Sequence, residues 1–67
     1  MYKTVTLYRD NIKIRIIDNV AEINRNIPSN MFEIVSMFNI IYVPMNDIDY
    51  MIAESDDVKT TITGLRR

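Results

Sequence analysis

The sequence predicts a small α+β domain in which one short helix packs on an antiparallel sheet. The sheet is expected to begin with a three-stranded meander and to gain two or three strands after a helix over about residues 30–39. Pairs of Asp and Asn residues separate short apolar stretches, as turns separate strands. The N-terminal stretches alternate with a period of two, whereas residues 31–38 carry apolar side chains at helical spacing.

Length and composition predict one domain that needs a partner. The chain has 67 residues, and 48% of them are hydrophobic. A chain this short buries only about 60% of the surface that its unfolded form exposes. Cysteine is absent, so no disulfide adds stability. We therefore expect a single domain over residues 1–67 that covers apolar surface by self-association, as a homodimer or higher oligomer.

Two Asx pairs carry the prediction of the meander. Asp10-Asn11 and Asp18-Asn19 each lie between β-branched apolar stretches. If both pairs are two-residue hairpin turns, the apolar residues of three consecutive strands fall on one face of the sheet. A shift of one residue would destroy this match. The sequence therefore predicts three strands over residues 2–25.

Residues 31–43 have two interpretations after a predicted loop over residues 24–30. As a helix, the segment has Asn30 as N-cap with Glu33 three residues later, close to a capping box. As a hairpin, it would place Met37 and Phe38 at the tip, where Asn or Gly is usual. The helix is favoured for this reason. The hairpin remains the alternative and would give an all-β curled sheet or small barrel.

The second half is predicted to contain short strands joined by tight turns. Residues 40–43 read as a buried strand, and Pro44 ends its pairing. Asn46-Asp47 is then expected to turn the chain, with a short helix from Asn46 as the alternative.

The C-terminal hairpin is predicted from charge as well as from turn chemistry. A turn at Asp56-Asp57 would set Glu54 opposite Lys59, which is a favourable cross-strand pair. The last strand would end near residue 63. Residues 64–67 are expected to form a flexible tail.

The composition argues against common enzyme chemistry. The chain has no histidine and no cysteine, so the usual base and thiol nucleophile are both missing. No glycine-rich loop exists to hold a phosphate, and the acidic residues lack the spacing of a calcium loop. We therefore expect no catalytic activity, no metal and no cofactor.

The methionines and phenylalanines of the second half indicate a protein-binding surface. Met37 lies off the apolar stripe of the predicted helix, and Phe32 lies near its opposite flank. A helix that is apolar around much of its girth needs a second surface to bury against. The candidate partner-binding residues are Met31, Phe32, Met37, Phe38 and Met45.

Tyr8, Lys13 and Arg15 form the alternative candidate, a nucleic-acid surface. In the predicted meander they share the outer face, where an aromatic ring beside cations could stack on a base. The net charge of −1 argues against this use, because phosphate binding requires a basic surface. Nucleic acid is therefore not the expected partner.

These observations favour a non-catalytic protein-interaction module. Twelve isoleucines and seven asparagines indicate an AT-rich coding sequence. With the small size, this bias suggests a phage or mobile-element protein that binds and occludes a host protein in the host cytoplasm. The alternative is a structural subunit of a larger assembly such as a virion. No apolar run reaches the roughly 18 residues of a membrane span, so no membrane contact is expected.

Overall fold

One antiparallel sheet accounts for most of the structure, a computed structural model that describes residues 1–66. Its strands are β1 Tyr2–Arg9, β2 Ile12–Asn26, β3 Met31–Ser36, β4 Ile40–Pro44, β5 Tyr50–Glu54 and β6 Lys59–Thr63. They lie in the order β4-β3-β2-β1-β5-β6. The edge strands β4 and β6 do not pair with each other in the described chain, so the sheet is open. The predicted α+β class is wrong.

The turn between β1 and β2 is the one that the sequence predicts. Asp10 and Asn11 have φ values of 55° and 60°, the left-handed conformation that a type I′ turn requires at both central residues. Arg9 lies opposite Ile12 across this turn, as expected for a two-residue hairpin.

A β-bulge next to this turn changes the pairing that follows. The register shifts between Leu7 and Tyr8, so that Leu7 lies opposite Arg15 and not opposite Ile14. An extra residue in one strand moves the following side chains to the other face of the sheet. Ile14 and Ile16 are therefore exposed, by 42% and 52%, instead of contributing to the predicted apolar face.

The second predicted turn, at Asp18-Asn19, is a bend within one continuous strand. Asn19 has a φ of 55°, and the strand continues on both sides of it. Val20 lies opposite Tyr2 of β1 and also opposite Ser36 of β3, so β2 changes neighbours here. The predicted three-stranded meander over residues 2–25 is wrong, because these residues form a two-stranded hairpin with a long, bent second strand.

A hairpin replaces the predicted helix over residues 30–39. Strands β3 and β4 pair antiparallel, with Phe32 opposite Val43 and Ile34 opposite Ile41. Phe32 and Ile34 are fully buried on the core face, so the period of two, not the helical stripe, decides which side chains are inside. Strand β4 is not the buried strand that was predicted, because Ile40 is 50% exposed.

The core forms on one side of the bent sheet, and no α-helix among residues 1–66 covers it. A single buried cluster draws residues from β1 to β5 and from the segment between β4 and β5. Its members are Val5, Leu7, Ile17, Val20, Phe32, Ile34, Val43, Met45, Ile48, Met51 and Ala53. Because strands from both halves of the sheet share this cluster, the sheet must curve so that its halves face each other across the core.

The β5–β6 hairpin confirms the predicted register. Glu54 lies opposite Lys59 with an O···N distance of 3.9 Å. The Ser55 N–H donates to the Val58 carbonyl at 2.8 Å, which closes a turn with Asp56 and Asp57 at its centre. The predicted strand ending at residue 63 is present as β6.

The residues after β6 lie along the connection between β4 and β5. This connection contains a turn of 3-10 helix, Met45–Asp47, followed by buried Ile48. The Gly64 N–H donates to the Asp49 carbonyl at 2.8 Å, and the Leu65 N–H donates to the Met45 carbonyl at 2.7 Å. Flexibility of residues 64–67 stays a prediction. Residue 67 lies outside the described chain.

Candidate interaction surface

The tip of the β3–β4 hairpin presents two large apolar side chains to solvent. Met37 is 64% exposed and Phe38 is 86% exposed. They occupy the two central positions of the turn, where polar residues or glycine are usual. Ile40, the first residue of β4 and two positions after Phe38, is 50% exposed. We call Met37, Phe38 and Ile40 the hairpin-tip surface.

Two polar residues hold this tip in place. The Ser36 N–H donates to the Asn39 carbonyl at 2.9 Å, which closes the turn. The Ser36 hydroxyl oxygen accepts from the N–H groups of Phe38 and Asn39, at 3.3 and 3.2 Å. It also lies 2.7 Å from the Asn39 Oδ1, to which the hydroxyl can donate. The turn is thus closed by hydrogen bonds of Ser36 and Asn39, and none of these bonds involves the side chain of Met37 or Phe38.

The hairpin tip is also tied to the bend in β2. The Met37 N–H donates to the Asn19 carbonyl at 3.1 Å. This bond connects the end of β3 to the residue at which β2 changes neighbours. The exposed side chains are therefore displayed from a turn that is hydrogen-bonded on two sides.

The other predicted partner-binding residues do not share this surface. Phe32 is fully buried, and the Arg25 guanidinium carbon lies 5.8 Å from the centroid of its ring. Met45 is 2% exposed and belongs to the core. Met31 is half-buried and lies opposite Asn26. Of the five candidates, only Met37 and Phe38 come together at the surface.

The predicted nucleic-acid residues are divided between two faces. Tyr8 lies opposite Lys13, but the bulge places Arg15 opposite the buried Leu7. Successive residues of a strand point to opposite faces, so the side chains of Leu7 and Tyr8 lie on opposite faces of the sheet. Their cross-strand partners, Arg15 and Lys13, therefore lie on opposite faces as well. The Tyr8 ring already stacks on Tyr50, with the centroids 4.8 Å apart and the planes 15° from parallel.

A charged cluster that the sequence reading did not find joins the C-terminal segment to the β1–β2 turn. Arg66 contacts Asp10 through both terminal nitrogens, at 2.6 and 3.2 Å, and also lies 3.3 Å from Asp49. The hydrogen bond from Arg66 lowers the pKa of the Asp10 carboxyl. The same bond raises the pKa of Arg66. The cluster spans 56 positions of sequence, so no local pattern could have indicated it.

The acidic residues do not assemble into a cation site within residues 1–66, where no group of three or more carboxylates converges. The Asp49 carboxylate instead accepts a hydrogen bond from the Asp10 N–H at 2.7 Å. The chemistry that the described surface offers is apolar contact at the hairpin tip and backbone pairing at the strand edges.

Comparison with known proteins assigns no relative to the chain. No protein-family model matches it, no curated protein matches it, and no solved structure matches it. No helix in residues 1–66 has the length and apolar character to cross a bilayer.

Proposed function

We propose that this chain is a non-catalytic protein-interaction module. It binds a partner protein through the hairpin-tip surface and also associates with itself. The observation that carries the proposal is the exposure of Phe38, an 86% exposed aromatic side chain at the tip of a turn that Ser36 and Asn39 close. Aromatic side chains dominate binding energies when they fill a pocket on a partner.

The geometry favours insertion into an apolar cleft of the partner. Met37 and Phe38 project from a two-residue turn that Ser36 and Asn39 brace, so ordering the tip on binding costs little conformational entropy. Met37 adds a flexible side chain that adapts to an irregular surface. The partner class that composition supports is a host protein of a low-GC bacterium, because the isoleucine and asparagine bias fits a phage or mobile-element gene.

The first experiment is a pull-down with the tagged chain from lysate of a low-GC bacterium, with and without nuclease. The wild type is compared with Phe38→Ser and with a control variant, Val58→Ser. Val58 is 53% exposed in the β5–β6 turn, so the control removes an exposed apolar side chain elsewhere, one smaller than Phe38. We expect that the wild type and the control retain the same protein with and without nuclease. Phe38→Ser should fail to retain it.

The retained protein is then purified and its affinity is measured by calorimetry. Loss of a buried phenylalanine should weaken binding by about tenfold or more. Equal affinity for wild type and Phe38→Ser would overturn the proposal. Retention that disappears on nuclease treatment would instead support the nucleic-acid alternative, and the Tyr8–Lys13 pair would become the surface to test.

A further inference from the structure

The first half of strand β2 has a strand neighbour on only one side. Residues 12–18 pair with β1, whereas the pairing with β3 begins at Val20. Strand β3 does not continue past this point, because the chain turns back at Met37 and Phe38. Along residues 12–18, the edge of β2 that faces away from β1 therefore has no strand beside it in the described chain.

The hydrogen-bond alternation identifies the first residue whose backbone groups point out from this edge. Arg9 and Ile12 close a two-residue hairpin, so they form a hydrogen-bonded pair and the next pair, Tyr8 and Lys13, does not. The Tyr8 carbonyl confirms this, because it accepts from the Asp49 N–H at 3.0 Å on the β5 side. The N–H and C=O of Lys13 therefore point away from β1.

The same alternation continues beyond the bulge. Leu7 takes the hydrogen-bonded position, so Ile16, opposite Thr6, and Asp18, opposite Thr4, have outward-pointing backbone groups. The free edge ends at Asn19, whose carbonyl accepts the Met37 N–H at 3.1 Å. The free edge thus presents the backbone groups of Lys13, Ile16 and Asp18, in that order.

We propose that a second copy of this chain pairs antiparallel with this edge about a twofold axis at Ile16. Residues 14 and 15 together stand opposite Leu7, so the bulge counts as one position and Lys13 and Asp18 lie equally far from Ile16 along the ladder. Reversing the order Lys13, Ile16, Asp18 therefore places Ile16 opposite its own equivalent and Lys13 opposite the partner's Asp18. The pairing therefore contains two Lys–Asp pairs and an apolar centre, and cross-strand pairs of both kinds stabilise a sheet. In residues 1–66 neither Lys13 nor Asp18 forms an ion pair.

The side chains of this segment favour it over the other free edges. Ile12 is 65% exposed, and with Ile14 and Ile16 it leaves three isoleucines in contact with solvent. Edge strands of isolated proteins usually carry features that prevent pairing. Strand β4 ends in Pro44, which has no N–H to donate, and β6 is mainly lysine and threonine. Joining two copies through β2 would continue both sheets across the interface.

This inference rests on the self-association part of the proposed function, and it is tested by exchanging charges. Lys13→Asp places two carboxylates opposite each other at both ends of the pairing, and Asp18→Lys places two ammonium groups there. Each variant should associate with itself about tenfold more weakly than the wild type. A mixture of the two variants restores both Lys–Asp pairs, so it should form a heterodimer. The control variant Asp57→Lys, on the exposed β5–β6 turn, should dimerise like the wild type.

Sedimentation equilibrium measures association, and amide exchange locates it. The Ile16 amide should gain protection with rising protein concentration in the wild type and in the variant mixture, but not in either variant alone. If each variant dimerises as the wild type does, the interface lies elsewhere and this inference is overturned while self-association stands. A wild type that stays monomeric at millimolar concentration would overturn both.

Discussion

Replacing Gly64 by alanine tests whether the C-terminal segment is a packed part of the fold. Gly64 is buried, and a Cβ atom at this position would overlap the Ile48 carbonyl oxygen. It would also lie 2.9 Å from two other atoms of Ile48, the carbonyl carbon and the Cγ1 of the side chain. Ile48 is fully buried in the core cluster, so any movement of it disturbs the residues packed around it. The alanine variant must therefore displace either the core or residues 64–66.

The expected loss of stability follows from the bonds that this displacement breaks. Backbone N–H groups of Gly64, Leu65 and Arg66 donate to carbonyls of the β4–β5 connection. At about 1 kcal/mol net for each bond, releasing the segment costs about 3 kcal/mol. Alanine also restricts the unfolded chain, which returns about 0.4–1 kcal/mol because the φ of Gly64 is not positive. We expect a net loss of about 2 kcal/mol.

Urea unfolding followed by far-ultraviolet circular dichroism measures this loss. Thr63→Ala is the matched control, because Thr63 is exposed at the end of β6 and its replacement meets no atoms of the connection. The control should lose less than about 1 kcal/mol. If Gly64→Ala is as stable as the wild type, or more stable, residues 64–66 do not pack against Ile48 as described.

Three further predictions concern the core, the hairpin tip and the charged cluster. Phe32→Ala should lose about 3–5 kcal/mol, enough to leave much of the chain unfolded in the amide NMR spectrum, and a fully folded spectrum would contradict the placement of Phe32 in the core. Phe38→Ser should change the urea midpoint by less than the equivalent of about 0.5 kcal/mol, and a larger loss would show that the tip is needed for folding. Arg66→Met should raise the pKa of Asp10 towards its usual value of 3.8, as read from an NMR titration. Because the folded-state pKa of Asp10 is lowered, its pairing with Arg66 stabilises the fold fully above pH 3.8 and is lost as the pH falls through the lowered pKa. The stability difference between wild type and Arg66→Met should therefore vanish in strong acid, and a difference that stays constant would contradict the pairing.

Local turn chemistry was predictable where the turn residues themselves set the backbone. Asp10-Asn11 adopts positive φ at both positions, and the β5–β6 hairpin has the register that the Glu54–Lys59 pair predicts. In each case the deciding interaction lies within six residues of sequence. Short-range signals of this kind are read directly from the sequence.

The bend at Asn19 was misread because one local conformation serves two purposes. A left-handed Asn occurs both in hairpin turns and in bulges. Val20 lies opposite both Tyr2 of β1 and Ser36 of β3, and this pairing on two sides decides that the strand continues. Both partners are distant in sequence, so the choice could not be made from residues 18 and 19.

The hairpin tip was rejected for a reason that holds only for one class of turn. Asn and Gly are needed where the central residues have positive φ, and neither Met37 nor Phe38 does. Ser36 and Asn39 stabilise the turn from outside its centre. Ser36 and Asn39 are both present in the sequence, but the helical spacing of the neighbouring apolar residues favoured a helix over a hairpin. The predicted helix that was to carry Met37 and Phe38 is therefore wrong, and their role in partner binding stays a prediction.

The position of β1 in the sheet determines the order in which the protein can be completed during synthesis. Strand β1 pairs with β2, its neighbour in sequence, but its other side is covered by β5, more than forty positions later. Until residues 50–54 leave the ribosome, the nascent chain exposes an open edge on β1 beside its buried Val5 and Leu7. Pairing over such distances closes slowly and leaves apolar edges free to meet other chains. Strand β5, made after β2, β3 and β4, is thus the strand that protects this edge of β1.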